Sequence, residues 1–103
     1  MTQNEKDWLE KHQRCICEHD DDSHQITLSI GNLSNLIVEL VEFQSSDKDN
    51  DKTQLTKKIA EVLSAIDRLI YIYNIDKDDI DVCKIFEVAN WLNRSGIEVR
   101  IPY

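Results

Sequence analysis

Glycine and proline are nearly missing from this chain. Its 103 residues contain two glycines, Gly31 and Gly96, and one proline, Pro102. So few breakers argue against a β fold with many tight turns and for long, uninterrupted helices. An unbroken apolar run of about 18 residues, the length a membrane-spanning helix needs, is also lacking, so no span is expected. The opening residues, MTQNEKDWLEKHQR, contain no apolar h-region and do not read as a signal peptide. These two absences point to a cytoplasmic protein with no membrane contact. Basic charge is scarce as well: 12 Lys and Arg stand against 20 Asp and Glu, a net charge of −8. Sequence-independent binding to a phosphate backbone needs a basic surface, so direct nucleic-acid binding is not expected. Cysteine is limited to Cys15, Cys17 and Cys83. An odd count without a secretion signal fits reduced thiols rather than a disulfide framework.

What is present is helical periodicity. The pattern predicts an all-α fold, a four-helix bundle in a single domain spanning residues 1–103. A first helix, at about 4–19, places Trp8, Leu9, His12, Cys15, Ile16 and His19 three and four residues apart. A second, at about 24–46 and capped by Asp22 or Ser23, carries Ile26, Ile30, Leu33, Ile37, Leu40 and Gln44 along one stripe. Leu36, Val38, Val41 and Phe43 widen that stripe, leaving a narrow polar strip of Asn32, Asn35, Glu39, Glu42 and Ser46. A helix this apolar is expected to pack against several neighbours, with its polar strip lining a shared cleft.

A polar loop, SSDKDNDKTQ, leads to a third helix at about 53–74, with Leu55, Ile59, Val62, Ile66, Leu69 and Tyr73 in its stripe. Tyr71 and Ile72 fall outside it, as a subunit-facing surface or as a contact with another helix of the same chain. A fourth helix, at about 77–95, starts from an Asp76 or Asp78 cap and buries Val82, Ile85, Phe86, Ala89 and Leu92. Cys83 is expected in its core, and Trp8 and Trp91 are expected as packing anchors. Gly96 suits the left-handed position that ends the helix. The tail, 96–103, alternates apolar and polar residues and could be a short strand or an arm onto a partner subunit.

Two carboxylates, Glu39 and Glu42, stand three residues apart in the setting LIVELVEFQ. Positions i and i+3 share a helix face. Two adjacent anions need a counter-charge, open water or a hard cation with oxygen ligands, such as magnesium. Two solvated surface acids are the plain alternative. Lys48 and Lys52 in the loop, and Arg94 near the last helix end, could contact phosphates or simply face solvent. His12, Cys15 and His19 lie near one face of the first helix, but His-x2-Cys-x-Cys-x-His is not a standard structural-zinc spacing. No glycine-rich phosphate loop and no nucleophile elbow are found.

A four-helix chain with ExxE on its second helix resembles the all-α nucleoside triphosphate pyrophosphohydrolases, the MazG-like superfamily. Glu39 and Glu42 match the family's first motif, and KKIAEVLSAIDRLIYIYNID is similar to the helix carrying its second. VANWLNRSG is similar to the closing helix. The resemblance covers roughly residues 24–95. It implies a magnesium-dependent site with Glu39, Glu42 and Glu61 as ligands and catalytic groups, a nucleotide substrate, and a homodimer or tetramer. One departure is chemical. Lys58 stands where the family has a fourth carboxylate, and an ammonium has no lone pair to give a metal. The expectation is therefore an enzyme-like scaffold with an incomplete metal site and weak or absent hydrolysis.

The other reading is a small acidic interaction protein with no catalysis, of the kind phages use to inhibit or regulate a nucleic-acid-handling partner. Net charge −8 and the clusters Asp20–Asp22, Asp47/Asp49/Asp51 and Asp76/Asp78/Asp79/Asp81 suit a basic protein partner. The same acids also serve as helix caps and loop punctuation.

Overall fold

Four helices form in the computed structural model: α1 (Gln3–His19), α2 (Asp22–Gln44), α3 (Thr53–Ile72) and α4 (Lys77–Arg94). The structure describes residues 1–45 and 51–103, and no strand occurs among them. The chain is all-α, and every helix boundary lies within two residues of its sequence expectation. Lys48 and the centre of the expected polar loop lie outside the described residues. The tail beyond Gly96 has neither helix nor strand.

The caps explain where the helices begin and end. Thr2 Oγ1 accepts from the Glu5 amide at 3.1 Å, and the Thr2 amide donates to Glu5 Oε1 at 2.9 Å. This reciprocal capping box satisfies two donors that an open helix start leaves bare. The two bonds hold the Glu5 carboxyl below its ordinary value. Asp76 caps α4 as expected, accepting from the Asp78 amide at 2.8 Å. The expectation for α2 needs correction: its N-cap is Asp21, not Asp22 or Ser23, and that side chain makes no capping bond. At the far end of α4, Gly96 takes φ 83°. Its amide donates to the Asn93 carbonyl at 3.1 Å and the Ile97 amide to the Leu92 carbonyl at 3.0 Å. That pair is the Schellman closure, which calls for a left-handed residue at the first position past the cap.

The chain divides into two compact units, Met1–Tyr73 and Asn74–Tyr103. In the first, α2 and α3 form the most extensively packed pair, and α1 packs on α3. Gln25 near the start of α2 bonds Arg68 near the end of α3, so the two helices run antiparallel as a hairpin. The seam of α2 is Gln25, Ser29, Asn32, Leu36, Glu39 and Phe43, all buried or half-buried at steps of four and three. The facing seam of α3 is Leu55, Lys58, Val62, Ala65, Leu69 and Ile72. This spacing is that of a paired-helix seam.

The expected burial of α2 is thereby turned around. The stripe of Ile30, Leu33, Ile37 and Leu40 is exposed, Ile37 at 63%. Two members of the polar strip, Asn32 and Glu39, are turned into the hairpin instead. Small side chains at Ser29 and Ala65 let the backbones approach, which branched aliphatics on the other face would not. Among the described residues of this unit the buried positions are Cys17, Gln25, Ser29, Val62 and Ala65, with no large aliphatic or aromatic side chain among them.

In the second unit, α4 and its tail fold back together. Phe86 and Tyr103 lie with ring centroids 6.4 Å apart, and Ala89 is buried. Cys83, expected in the core, is exposed. Trp91 on α4 and Trp8 on α1 are both 59% exposed, so neither acts as a packing anchor within the described residues.

Candidate functional site

The carboxylate region lies on the α2–α3 hairpin toward its connecting end. Glu39 is half-buried on the seam of α2, and Glu42, one turn on, is exposed. Lys58 holds a seam position on α3 with its side chain 29% exposed, and Glu61 lies one turn further. Lys58 Nζ stands 3.6 Å from Glu61 Oε2. The ammonium thus pairs along its own helix. Lys52 is the exposed N-cap of α3 and its carbonyl accepts from Thr56 Oγ1 at 2.8 Å. Arg94 belongs to the other unit, where its Nε donates to the Asn90 carbonyl at 3.3 Å.

The fit of magnesium can be judged from these donors. Magnesium takes six oxygen ligands, several of them waters, and is held through one or two carboxylates and substrate phosphates. Among the described residues, no group of three or more His, Cys, Asp or Glu side chains gathers as metal ligands. Glu39 is half-buried on the seam and Glu42 exposed, while Glu61 is shared with the Lys58 ammonium, which itself has no lone pair to give a metal.

The His12–Cys15–His19 constellation is also accounted for locally. His12 stacks on Trp8 with centroids 4.1 Å apart, its Nδ1 2.7 Å from the Trp8 carbonyl oxygen. His19 Nδ1 lies 2.8 Å from the Cys15 carbonyl oxygen and 3.6 Å from Cys15 Sγ. Both rings lie back on the preceding turn of their own helix.

A polar network that sequence reasoning missed ties the three helices of the first unit. Arg68 donates from Nε to Gln25 Oε1 at 2.8 Å, and from Nη1 to Gln13 Oε1 and Ser64 Oγ at 2.9 Å each. Gln13 Nε2 donates to Ser64 Oγ at 2.5 Å. Gln25 in turn donates to Asp20, whose carboxylate also lies 2.8 Å from His24 Nδ1. The Gln25 and His24 bonds hold the Asp20 carboxyl below its ordinary value. Beside Arg68, burial pushes the Cys17 thiol up, against the pull of the guanidinium. The one sequence signal for this network was the polar run Gln25, Ser29, Asn32 at heptad spacing, which reads as a seam once α3 lies against it.

α2 also has the length and apolar composition of a membrane-crossing helix, although it holds no unbroken apolar run. Comparison of the chain with family models, with curated proteins and with solved structures gives no match.

Proposed function

We propose that this chain is a non-catalytic helical interaction protein whose acidic surface meets a basic protein partner. The observation that carries the reading is the Lys58–Glu61 pair at 3.6 Å. It fills the place of a fourth carboxylate with a cation and engages one of the three remaining acids. The acidic groups left over are at the surface. Asp76, Asp78, Asp79 and Asp81 are all exposed around the start of α4, where the helix dipole favours them; Asp76 also caps the helix and Asp81 lies 3.9 Å from Lys84 Nζ. The test is calorimetry with magnesium plus nucleoside triphosphates, and separately with a lysine-rich peptide. The reading expects salt-sensitive binding of the peptide and no saturable nucleotide binding. Pyrophosphate release that depends on Glu39 would overturn it.

A second reading keeps the nucleotide chemistry of the MazG-like resemblance. It is favoured by Glu39 and Lys58, both half-buried on facing seams at one end of the hairpin. On this reading the carboxylates of two chains complete a magnesium site that one chain lacks. Saturable magnesium-nucleotide binding abolished by Glu39→Gln, with the fold retained, is its distinguishing outcome.

A further inference from the structure

We propose that Cys15 and His19 on α1 form a two-ligand clamp for a thiophilic divalent cation such as zinc. The two residues stand four apart, one turn along the same face of the helix, and both are exposed. Cys15 Sγ lies 3.6 Å from His19 Nδ1. Zinc bonds a thiolate sulfur at about 2.3 Å and an imidazole nitrogen at about 2.0–2.1 Å. At the tetrahedral angle those two bonds set the donor atoms about 3.5–3.6 Å apart. The pair therefore stands at the spacing the ion requires, held there by the helix backbone. One rearrangement accompanies binding. His19 Nδ1 also lies 2.8 Å from the Cys15 carbonyl oxygen, and donates to it when the ring proton is on Nδ1. The metal-bound ring carries its proton on Nε2 and gives up that bond, a penalty of about two- to tenfold in affinity. The thiol gives its proton to solvent, so binding tightens as pH rises.

The other thiols and imidazoles are committed elsewhere. Cys17 is buried, its Sγ 3.9 Å from the Arg68 carbonyl oxygen. The unit that holds Cys83 contains no histidine. His12 stacks on Trp8, and His24 pairs with Asp20. Among the described residues no third His, Cys, Asp or Glu joins Cys15 and His19. Water then completes the coordination, and the affinity is well below that of a four-ligand structural site. The surroundings favour a cation. Cys15 lines an open groove with Asp7, Glu10, Lys11, Arg14 and Glu18. Arg14 is neutralised by Glu10 at 2.8 Å, which leaves Asp7 and Glu18 against Lys11. The net charge of −8 adds a long-range attraction.

The clamp rests on neither reading of the carboxylates. Cobalt(II), a spectroscopic stand-in for zinc, tests it on the full, reduced chain without a histidine tag. A saturable thiolate-to-cobalt charge-transfer band is expected in the near ultraviolet, displaced by zinc. Cys15→Ser should abolish the band and His19→Gln should weaken binding about tenfold or more, while Cys83→Ser and His12→Gln leave it unchanged. All four positions are exposed, and circular dichroism checks that each variant is folded. Alkylation gives a second readout. Zinc should slow the reaction of Cys15 with iodoacetamide about tenfold or more by sequestering its thiolate, and leave Cys83 untouched. Absence of the band overturns the proposal, and so does a band that survives Cys15→Ser. Cobalt bound as tightly by His19→Gln as by the parent, or equal zinc protection of Cys15 and Cys83, overturns it as well.

Discussion

Arg68 on α3 donates its Nε–H to Gln25 Oε1 on α2 at 2.8 Å, joining residues 43 positions apart in the chain. The same guanidinium reaches Gln13 on α1, so one side chain pins three helices. Its hydrogen bonds end on neutral oxygens of Gln25, Gln13 and Ser64, and the Ser64 hydroxyl also accepts from Gln13. Arg68→Met keeps much of the stem's packing but leaves the Gln25 and Gln13 side-chain oxygens without their donor. Hydrogen bonds to a charged group contribute about 1.5–3 kcal/mol. A loss of that size is expected in urea unfolding at neutral pH. An unchanged midpoint would show that the network is incidental.

Acid should loosen the same region. Asp20, Glu5 and Asp51 all have carboxyls held below their ordinary values, Asp20 first by Gln25 and then by His24. A group depressed in the folded state contributes stability at pH above its unfolded value, and that contribution fades as pH falls through the folded value. Melting temperature is therefore expected to hold at neutral pH and to drop below about pH 4. Asp20→Asn should flatten part of that drop. A variant with the same pH dependence as the parent contradicts the assignment to Asp20.

The three thiols should react at different rates. Cys15 and Cys83 are exposed, while Cys17 is buried and its thiol is raised. Less thiolate and less access both slow alkylation. Iodoacetamide at pH 8 should modify two sites quickly and Cys17 only slowly by mass spectrometry, and all three alike in denaturant. Equal rates in the native protein would mean that α1 opens readily from α3.

Position 58 offers a test of the carboxylate region. Lys58→Glu removes the partner of Glu61 and adds a third acid near the seam that holds Glu39. Clustered anions repel and call for a cation. The variant should melt several degrees below the parent in EDTA and recover in millimolar magnesium, with the parent insensitive to the metal. Identical melting in both buffers would show that positions 39, 58 and 61 do not share a pocket.

The two glycines should respond in opposite directions. Gly31 lies inside α2 with nothing within 4 Å of an added Cβ, so Gly31→Ala is expected to stabilise by about 0.5–1 kcal/mol through helix propensity. Gly96 sits at φ 83°, where Ala is strained, and Gly96→Ala should destabilise by about 1–2 kcal/mol. Thermal melts of both variants check this. A destabilised Gly31→Ala would reveal a partner seated on that side of α2.

The number and extent of the helices were legible from Ile59, Val62, Ile66 and Leu69 and their counterparts, because periodicity and scarce breakers decide whether a segment is helical. Cap positions were less so: Asp20, Asp21 and Asp22 are chemically alike, and only the folded chain shows that Asp20 reaches Gln25. Which face of α2 lies inside the hairpin was not legible. The most apolar stripe was expected inward, yet Ser29 and Ala65 favour the closer backbone approach. For the candidate site, Lys58 was legible as altered, but its pairing with Glu61 one turn on depends on side-chain placement that the sequence does not specify. Arg68 drew no attention because a lone arginine among glutamines carries no motif.

Calorimetry of the unmodified chain with a lysine-rich peptide, and separately with magnesium plus nucleoside triphosphates, bears most directly on the proposed function. The expected result is peptide binding that weakens as salt is raised, with no saturable nucleotide binding. Saturable magnesium-nucleotide binding lost in Glu39→Gln would contradict it.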